Sequence, residues 1–536
     1  MHSVTLFIAV LFAPVLIRLA LLSHKGVAPS FVDVRGFTSD ILVSFIIALI
    51  LVFIFRLKPL AGIVILLLWS LLSYGVYEHV MALGALPSLS NIKYLGDATF
   101  LKASVLSVSR PLLFLPVVLF PPTLGAVLFW GGRTRLRPVA FIYPAIFFLI
   151  INIFWKDDSE ALMWRQANFA HDNVGLLVSF GGGAEALGST DRVSLSGAEL
   201  NGEPVIELPG SAKNVLLIML ESVSGAYIDS AADYHNIESP ITMPLLSALA
   251  KENIHYPTFV ANQRQTNRGE YAILCGEYPK LASEVAKMSE VAFFGGEKPC
   301  LPAVLGSAGF ETVYLQSAPL AFMLKEQFME RVGFSKVYGD DYFKQAYKRN
   351  AWGVDDRAYF EQSVDLVAKL SAGEKPWFLT MLTVGSHDPY NVPDDYNSPY
   401  EEGSIGEAFS YLDSALSEFL STLEAKGLLK DTLILLTSDE SAGITHKTSD
   451  LLTKLSQNWG FFIAITPGGE QMEIDGSFMQ VDIALSILDY LGLGEVKNDF
   501  SGRSLFRAYE KERPIFFGNT YMHLVGAIDT SGSPGT

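Results

Sequence analysis

A helical membrane domain joined to an α/β domain with a mostly parallel central sheet is the fold class that three observations predict. The 536 residues are 50% apolar and only 18% charged, with a mean hydropathy of +0.31, too apolar for an ordinary soluble enzyme. The long apolar runs all lie before residue 156. From residue 213, short β-rich runs alternate with amphipathic stretches, the pattern of crossover units that lay helices on both faces of a parallel sheet. Charge divides the chain at the same place. Residues 1–155 carry 11 Lys+Arg against 4 Asp+Glu, a net +7, and the remainder carries 28 against 52, a net −24. An acidic field of that size does not attract nucleic acid, so nucleic-acid binding is excluded.

Residues 1–155 read as a five-helix transmembrane domain, with apolar runs at 4–22, 41–55, 60–77, 112–130 and 139–155, each near the roughly 20 residues that cross a hydrocarbon core. No small-residue cleavage site follows the first run, so it reads as an anchor and not as a removed signal peptide. Arg56 and Lys58 crowd the loop between the second and third runs, and Arg133, Arg135 and Arg137 the loop between the fourth and fifth. Such dense basic loops face the cytoplasm, which puts the N-terminus inside and, after five crossings, everything from residue 156 outside. The expected location is a multi-pass cytoplasmic (inner) membrane protein with a periplasmic or extracellular catalytic domain. Arg18, late in the first run, is expected to snorkel to the outer headgroups. Residues 156–212 read as an amphipathic helix (157–180) and a polar tether opened by Gly181, Gly182 and Gly183. Residues 213–515 read as the catalytic domain and 516–536 as a C-terminal tail.

Within 213–515 the strands are expected at 214–220, 312–316, 377–383, 432–437 and 460–466, and the helices at 243–251, 301–308, 355–370, 405–426 and 481–491. Ligands of such sheets sit beyond the carboxyl ends of the strands. The run 214–220 is apolar throughout, as a strand buried on both faces must be, and it stops at Glu221. The run 432–437 has the same character and leads into Asp439 and Glu440. Two buried strands that both end in acids favour a cation between them; either acid alone is equally a helix-start residue. Thr266 precedes a helical stretch ending at Cys275. There it is either a plain cap or a hydroxyl that a divalent metal activates, with the helix amides facing a phosphate. His387 follows the 377–383 strand, where it is placed to bind phosphate or move a proton. His446 lies a few residues after Glu440, as a further metal ligand, a second acid-base group or a surface histidine. Arg268 and Trp352 are candidates for a headgroup pocket, with packing the alternative for Trp352. Cys275 and Cys300 flank the loop 276–299, and an exported location favours a disulfide over two buried thiols.

The order Glu221 at a strand end, Thr266 before a helix and Asp439 in a Thr-Ser-Asp-Glu turn resembles the lipoteichoic acid synthases and the phosphoglycerol and phosphoethanolamine transferases of the alkaline phosphatase–sulfatase superfamily. Leu301-Pro-Ala-Val-Leu305, 309–317, Trp352-Gly353-Val354-Asp355, Ser386-His387-Asp388-Pro389-Tyr390, Gln480-Val481-Asp482 and 501–505 agree in order and spacing. The resemblance implies an alkaline-phosphatase-like fold and a transferase using one divalent metal ion, Mn²⁺ or Zn²⁺ with Mg²⁺ possible. Glu221, Thr266 and Asp439 are its implied ligands, and Thr266 is the nucleophile. The fourth ligand falls on Glu440, where the family usually has His, and an added carboxylate favours harder cations. The implied partners are a phospholipid donor, a glycan or envelope-polymer acceptor, and the membrane. Phosphoglycerol transfer is the expected activity, with phosphoethanolamine transfer or phosphodiester hydrolysis as alternatives. A sulfatase's Cys/Ser-x-Pro-x-Arg motif is not what surrounds Cys275, which is followed by Gly-Glu-Tyr-Pro279.

Overall fold

The computed structural model describes residues 2–89, 110–131, 136–155, 158, 160–174, 197–279, 298–444, 449–522 and 524–528. They form two compact units, one built on the N-terminal helices together with 449–454, the other on the remaining residues from 197 onward.

In the first unit, α1 (His2–His24), α2 (Phe31–Leu57) and α3 (Pro59–Leu83) are long and apolar enough to cross a membrane. Helices α4 (Pro111–Gly131) and α5 (Val139–Phe154) follow, with shorter apolar stretches at 112–128 and 139–154. Among the described residues, then, three helices meet the length and composition of a span where the sequence suggests five. Prolines 116, 121 and 122 lie inside α4 and Pro144 inside α5. Helix α2 starts ten residues before the apolar run that announced it, because the polar residues that end the run are paired inside the bundle. Asp40 takes the Arg18 guanidinium at 2.6 Å, and Asp33 takes that of Arg165 at 2.7 Å. Arg18 therefore does not snorkel. It is buried, and it also donates to the carbonyls of Trp164, Arg165 and Ala167. Of the two forms expected for the amphipathic segment 157–180, interfacial or packed, those bonds favour the packed one for 164–167. The described part of that segment holds a single helical turn, α6 (Met163–Gln166), with Trp164, Arg165 and Gln166 buried, and a further helical stretch from 169.

The second unit is built on an eight-stranded sheet. Its strands are β1 (Asn214–Leu220), β2 (Ile254–His255), β3 (Glu311–Gln316), β4 (Lys336–Tyr338), β5 (Trp377–Leu382), β6 (Thr432–Ser438), β7 (Phe462–Ile465) and β8 (Met472–Glu473), in the order β8-β2-β7-β6-β1-β5-β3-β4. The pairs β6–β1, β1–β5, β5–β3 and β3–β4 are parallel, and β7 runs antiparallel to both β6 and β2. The central strands β1, β5 and β6 are apolar and almost wholly buried, as strands covered on both faces require. The covering helices include α7 (Pro244–Glu252), α8 (Thr266–Cys275), α9 (Leu301–Ser307), α10 (Lys325–Val332), α11 (Asp356–Ser371), α12 (Ile405–Ala425) and α13 (Asp482–Tyr490). Cys275 and Cys300 form a disulfide that ties the end of α8 to the start of α9.

Both ends of the expected catalytic domain shift. The tether's last residues belong to this unit: Glu203–Pro204 pairs with Arg507–Ala508, and Glu199 bonds Arg503 at 2.8 Å. The segment from 516 is not simply a tail. β9 (Ile515–Asn519) and β10 (Leu524–Ile528) form an antiparallel hairpin, and Gly518 N donates to Asn262 O at 2.9 Å, beside the loop that leads to α8.

Candidate active site

Strands β1 and β6 pair in parallel with Leu220 opposite Ser438, so one more step along each chain brings Glu221 beside Asp439. The exit from β1 is held on both sides. Glu221 N donates to Thr383 Oγ1 at 3.0 Å, and Ser386 Oγ donates to the Glu221 carbonyl at 2.7 Å. Ser222 then turns sharply, with φ of 62°, a left-handed conformation that costs a non-glycine residue about 1–3 kcal/mol. The turn aims Ser222 N at Asp439 Oδ1, 3.0 Å away, and sets its Oγ within 3.0 Å of Glu221 Oε1 and 2.9 Å of Glu440 Oε1.

Thr266 is the first residue of α8, and its Oγ1 lies 3.5 Å from Glu221 Oε2. Two devices bring this helix to the Asp439 turn. Gln480 donates to the carbonyls of Ser438 and Asp439 at 2.8 and 2.7 Å while its Oε1 accepts from Asn262 N at 3.0 Å. Gly269 supplies the close approach, since a Cβ at that position would overlap the Asp439 carbonyl. One turn beyond Thr266, buried Glu270 accepts from Tyr314 at 2.6 Å and pairs with Lys325, which fixes the helix from the far side. Gly269→Ala is expected to push α8 off the turn, lower the melting temperature and cut turnover by about 10²-fold, the effect of an ångström-scale misplacement. Unchanged turnover in that variant would show that the close approach is not needed.

The electrostatics of the site are those of a buried anion pair that one nearby guanidinium, Arg264, only partly offsets. Burial, then the neighbouring Asp439, pushes the Glu221 carboxyl well above the usual range, and burial also raises Asp439. Asp439 Oδ2 is buried and receives no hydrogen bond. Ser222 serves one oxygen of each carboxylate, and the oxygens left over in two such buried acids hold either a shared proton or a cation. Glu221, Asp439 and the Thr266 hydroxyl are hard oxygen donors, a set that fits a divalent ion. Glu440 is engaged by two neighbours: its Oε1 accepts from Ser222 Oγ, which also reaches Glu221, and pairs with the Arg264 guanidinium. Among the described residues no group of three or more His, Cys, Asp or Glu is arranged to hold a metal, consistent with that engagement of Glu440.

His387 stands on the turn suspended from Glu221 through Ser386. Its Nδ1 lies 2.8 Å from the Asp388 carbonyl, so Nδ1 carries the proton and Nε2 keeps its lone pair. Burial pulls its pKa down to about 4, which leaves the ring neutral near pH 7. Trp352 packs against His387, the rings tilted by 41° with centroids 4.1 Å apart, and donates its Nε1 proton to Asp388 O at 3.0 Å, bracing that turn. Arg268 is buried on α8. His446 lies outside the described residues. The sequence reading missed Arg264 and Ser222. The first has a visible signal, a basic residue two positions before the threonine. The second shows itself only through its backbone angle.

An α/β sheet whose carboxyl edge sets two acids against a helix-start threonine is the arrangement that the sequence resemblance to the alkaline phosphatase–sulfatase superfamily leads one to expect. The chain belongs to the sulfatase family, whose sequence model matches residues 213–493, more than half its length. It is similar to phosphoglycerol transferase I of Salmonella choleraesuis (strain SC-B67), with 26% identity over 323 residues, 57% of this chain and 41% of that protein. The protein of the same name from Escherichia coli (strain 55989 / EAEC) is 26% identical over 319 residues, 56% of this chain and 41% of the relative. The match thus spans less than half the length of these curated relatives. A protein in the alkaline phosphatase superfamily from Vibrio parahaemolyticus shares the fold, with a TM-score of 0.51 at 20% identity over 60% of this chain and 75% of that one.

Proposed function

We propose that the protein is a membrane-anchored, divalent-metal-dependent transferase that moves a phosphoglycerol-type headgroup from a phospholipid to an acceptor hydroxyl of a glycan or envelope polymer, through a phosphothreonine at Thr266. The observation that carries this reading is the meeting of the Thr266 hydroxyl with Glu221 and with an Asp439 oxygen that has no donor of its own. Family membership supports ester chemistry at that threonine, and likeness to proteins named phosphoglycerol transferase I supports the headgroup. Five crossings, with the N-terminus inside and the catalytic unit outside, follow from the basic loops. An anchor in the donor's own bilayer replaces a search through bulk water with one at the surface.

Glu221, Thr266 and Asp439 would hold the ion; Mn²⁺ suits this oxygen set, with Zn²⁺ and Mg²⁺ as alternatives. When bound, such a cation supplies the positive charge that favours ionisation of a hydroxyl and offsets charge on a phosphoryl oxygen. Thr266 Oγ1 attacks the phosphorus, the bond from phosphorus to the diacylglycerol oxygen breaks, and the proton that Thr266 gives up passes to that departing oxygen. Neutral His387 then accepts the proton of the acceptor hydroxyl at Nε2 as that hydroxyl attacks the phosphothreonine, and the proton is returned to Thr266 Oγ1 as its bond to phosphorus breaks, which restores the hydroxyl and the neutral ring. His387 is active in its unprotonated form, so kcat/KM is expected to hold steady from about pH 7 to 5 and fall as the pH drops through about 4. An acid limb near 6.5, the value of an unperturbed imidazole, would contradict this role.

The full chain in detergent, incubated with labelled phosphatidylglycerol or phosphatidylethanolamine, with and without chelator and acceptor glycan, tests the function. Chelator-sensitive transfer from phosphatidylglycerol to the acceptor is expected. Release of free glycerol phosphate with no modified acceptor would replace transfer by hydrolysis. Release from phosphatidylethanolamine alone would change the donor.

A further inference from the structure

Arg264 is a strongly placed side chain that these steps leave unused. It stands two residues before Thr266 and is only 7% exposed. Its Nη1 is ion-paired with Glu440, and neither the buried Nη1 nor the buried Nε makes a hydrogen bond. Glu221, Asp439, Tyr227 and Tyr521 lie close enough to act on its charge. The turn that carries Tyr521 is fixed to the same loop, since Thr520 N donates to Gln263 Oε1 at 3.2 Å.

Charge balance argues for more than packing. Glu221, Asp439 and Glu440 bring three negative charges when ionised. A divalent ion offsets two, and Arg264 offsets the third. A phosphodiester then adds a negative charge to a site already dense in carboxylates. A fixed guanidinium with an unused N–H, beside the first amides of α8, is suited to take it: the planar fork matches phosphoryl oxygens, and helix N-termini favour anions.

We propose that Arg264 binds a nonbridging oxygen of the phosphoryl group that Thr266 attacks, and that Glu440 aims this guanidinium. The assignment rests on the phosphoryl-transfer reading above. Arg264 is then a catalytic residue and Glu440 a positioning residue.

The test uses the full chain in detergent with Mn²⁺, inorganic phosphate as the anion probe by calorimetry, and Mn²⁺ affinity measured separately by electron paramagnetic resonance. Arg264→Ala is expected to weaken phosphate binding by about 10- to 100-fold, the worth of a charged hydrogen bond, with Mn²⁺ affinity within about threefold of wild type. Arg264→Lys, which keeps the charge and guards against misfolding, should recover only part of the loss because it lacks the fork. Glu440→Gln should weaken phosphate binding less than Arg264→Ala and leave Mn²⁺ binding intact. Wild-type phosphate affinity in both Arg264 variants would overturn the assignment, and loss of Mn²⁺ from Glu440→Gln would make Glu440 a metal ligand instead. Arg264-dependent phosphate binding in a protein that releases no phospholipid headgroup would sustain this assignment while defeating the functional reading.

Discussion

Thr266→Ala is expected to reduce headgroup release by about 10⁴-fold, the scale of losing a covalent nucleophile, with little change in stability. The threonine opens α8 without a side-chain cap at the preceding residue, and alanine is a good helix former, so the helix should persist. Its hydroxyl is the group set 3.5 Å from Glu221 Oε2, and no other side chain supplies an attacking oxygen in the steps above. Thr266→Ser keeps that oxygen and should retain turnover within about 10²-fold of wild type, a loss that reflects looser positioning. Steady-state release from labelled phosphatidylglycerol, beside a thermal melt of each variant, checks both. Full turnover in the alanine variant would remove Thr266 from the chemistry.

Asp439→Asn should separate function from stability. Turnover is expected to fall by about 10³-fold, since a ligand oxygen and its charge disappear together. The metal-free protein should nevertheless become more stable, by about 1–3 kcal/mol, because an amide can donate to Glu221 where two buried carboxylates now face each other. The dependence on pH follows from the sign of the shifts. Glu221 and Asp439 both titrate above their unfolded values. In metal-free wild type their contribution is therefore most favourable below the unfolded carboxylate range and is lost as pH rises through the raised values. The Asn variant should lose much of that slope, and Mn²⁺ should no longer raise its melting temperature. A wild-type response to Mn²⁺ in Asp439→Asn would place the ion elsewhere.

Much of the second unit was legible because its central strands are buried on both faces. The runs 214–220 and 432–437 are apolar without interruption and end abruptly in acids, and β1 and β6 are found there with Glu221 and Asp439 adjacent. The two-residue strands β2 and β8 were not legible, since two residues carry no alternation. The polar residues that cut the second apolar run short, Asp33 and Asp40, mark no helix end. They are paired with Arg165 and Arg18, residues far away in sequence. Periodicity has no term for such a partner. The same holds for Glu440, whose acidic character and position suggest a metal ligand but give no sign of Arg264, 176 positions earlier, beside it. The strand β10 alternates in burial, with Leu524, Gly526 and Ile528 more enclosed than their neighbours, but Leu-Val-Gly-Ala-Ile has no polar residue to mark an outer face, and its nearness to a Ser- and Gly-rich terminus hid it further.

The central claim is that a cation held between Glu221 and Asp439 turns the Thr266 hydroxyl into the attacking group. Mass spectrometry of peptides from full-length protein quenched during turnover with labelled phosphatidylglycerol tests it most directly. Label is expected on the peptide containing Thr266, in the presence of Mn²⁺ and not after chelation. Label on another peptide, or label on Thr266 that forms equally well without any divalent ion, would contradict the account.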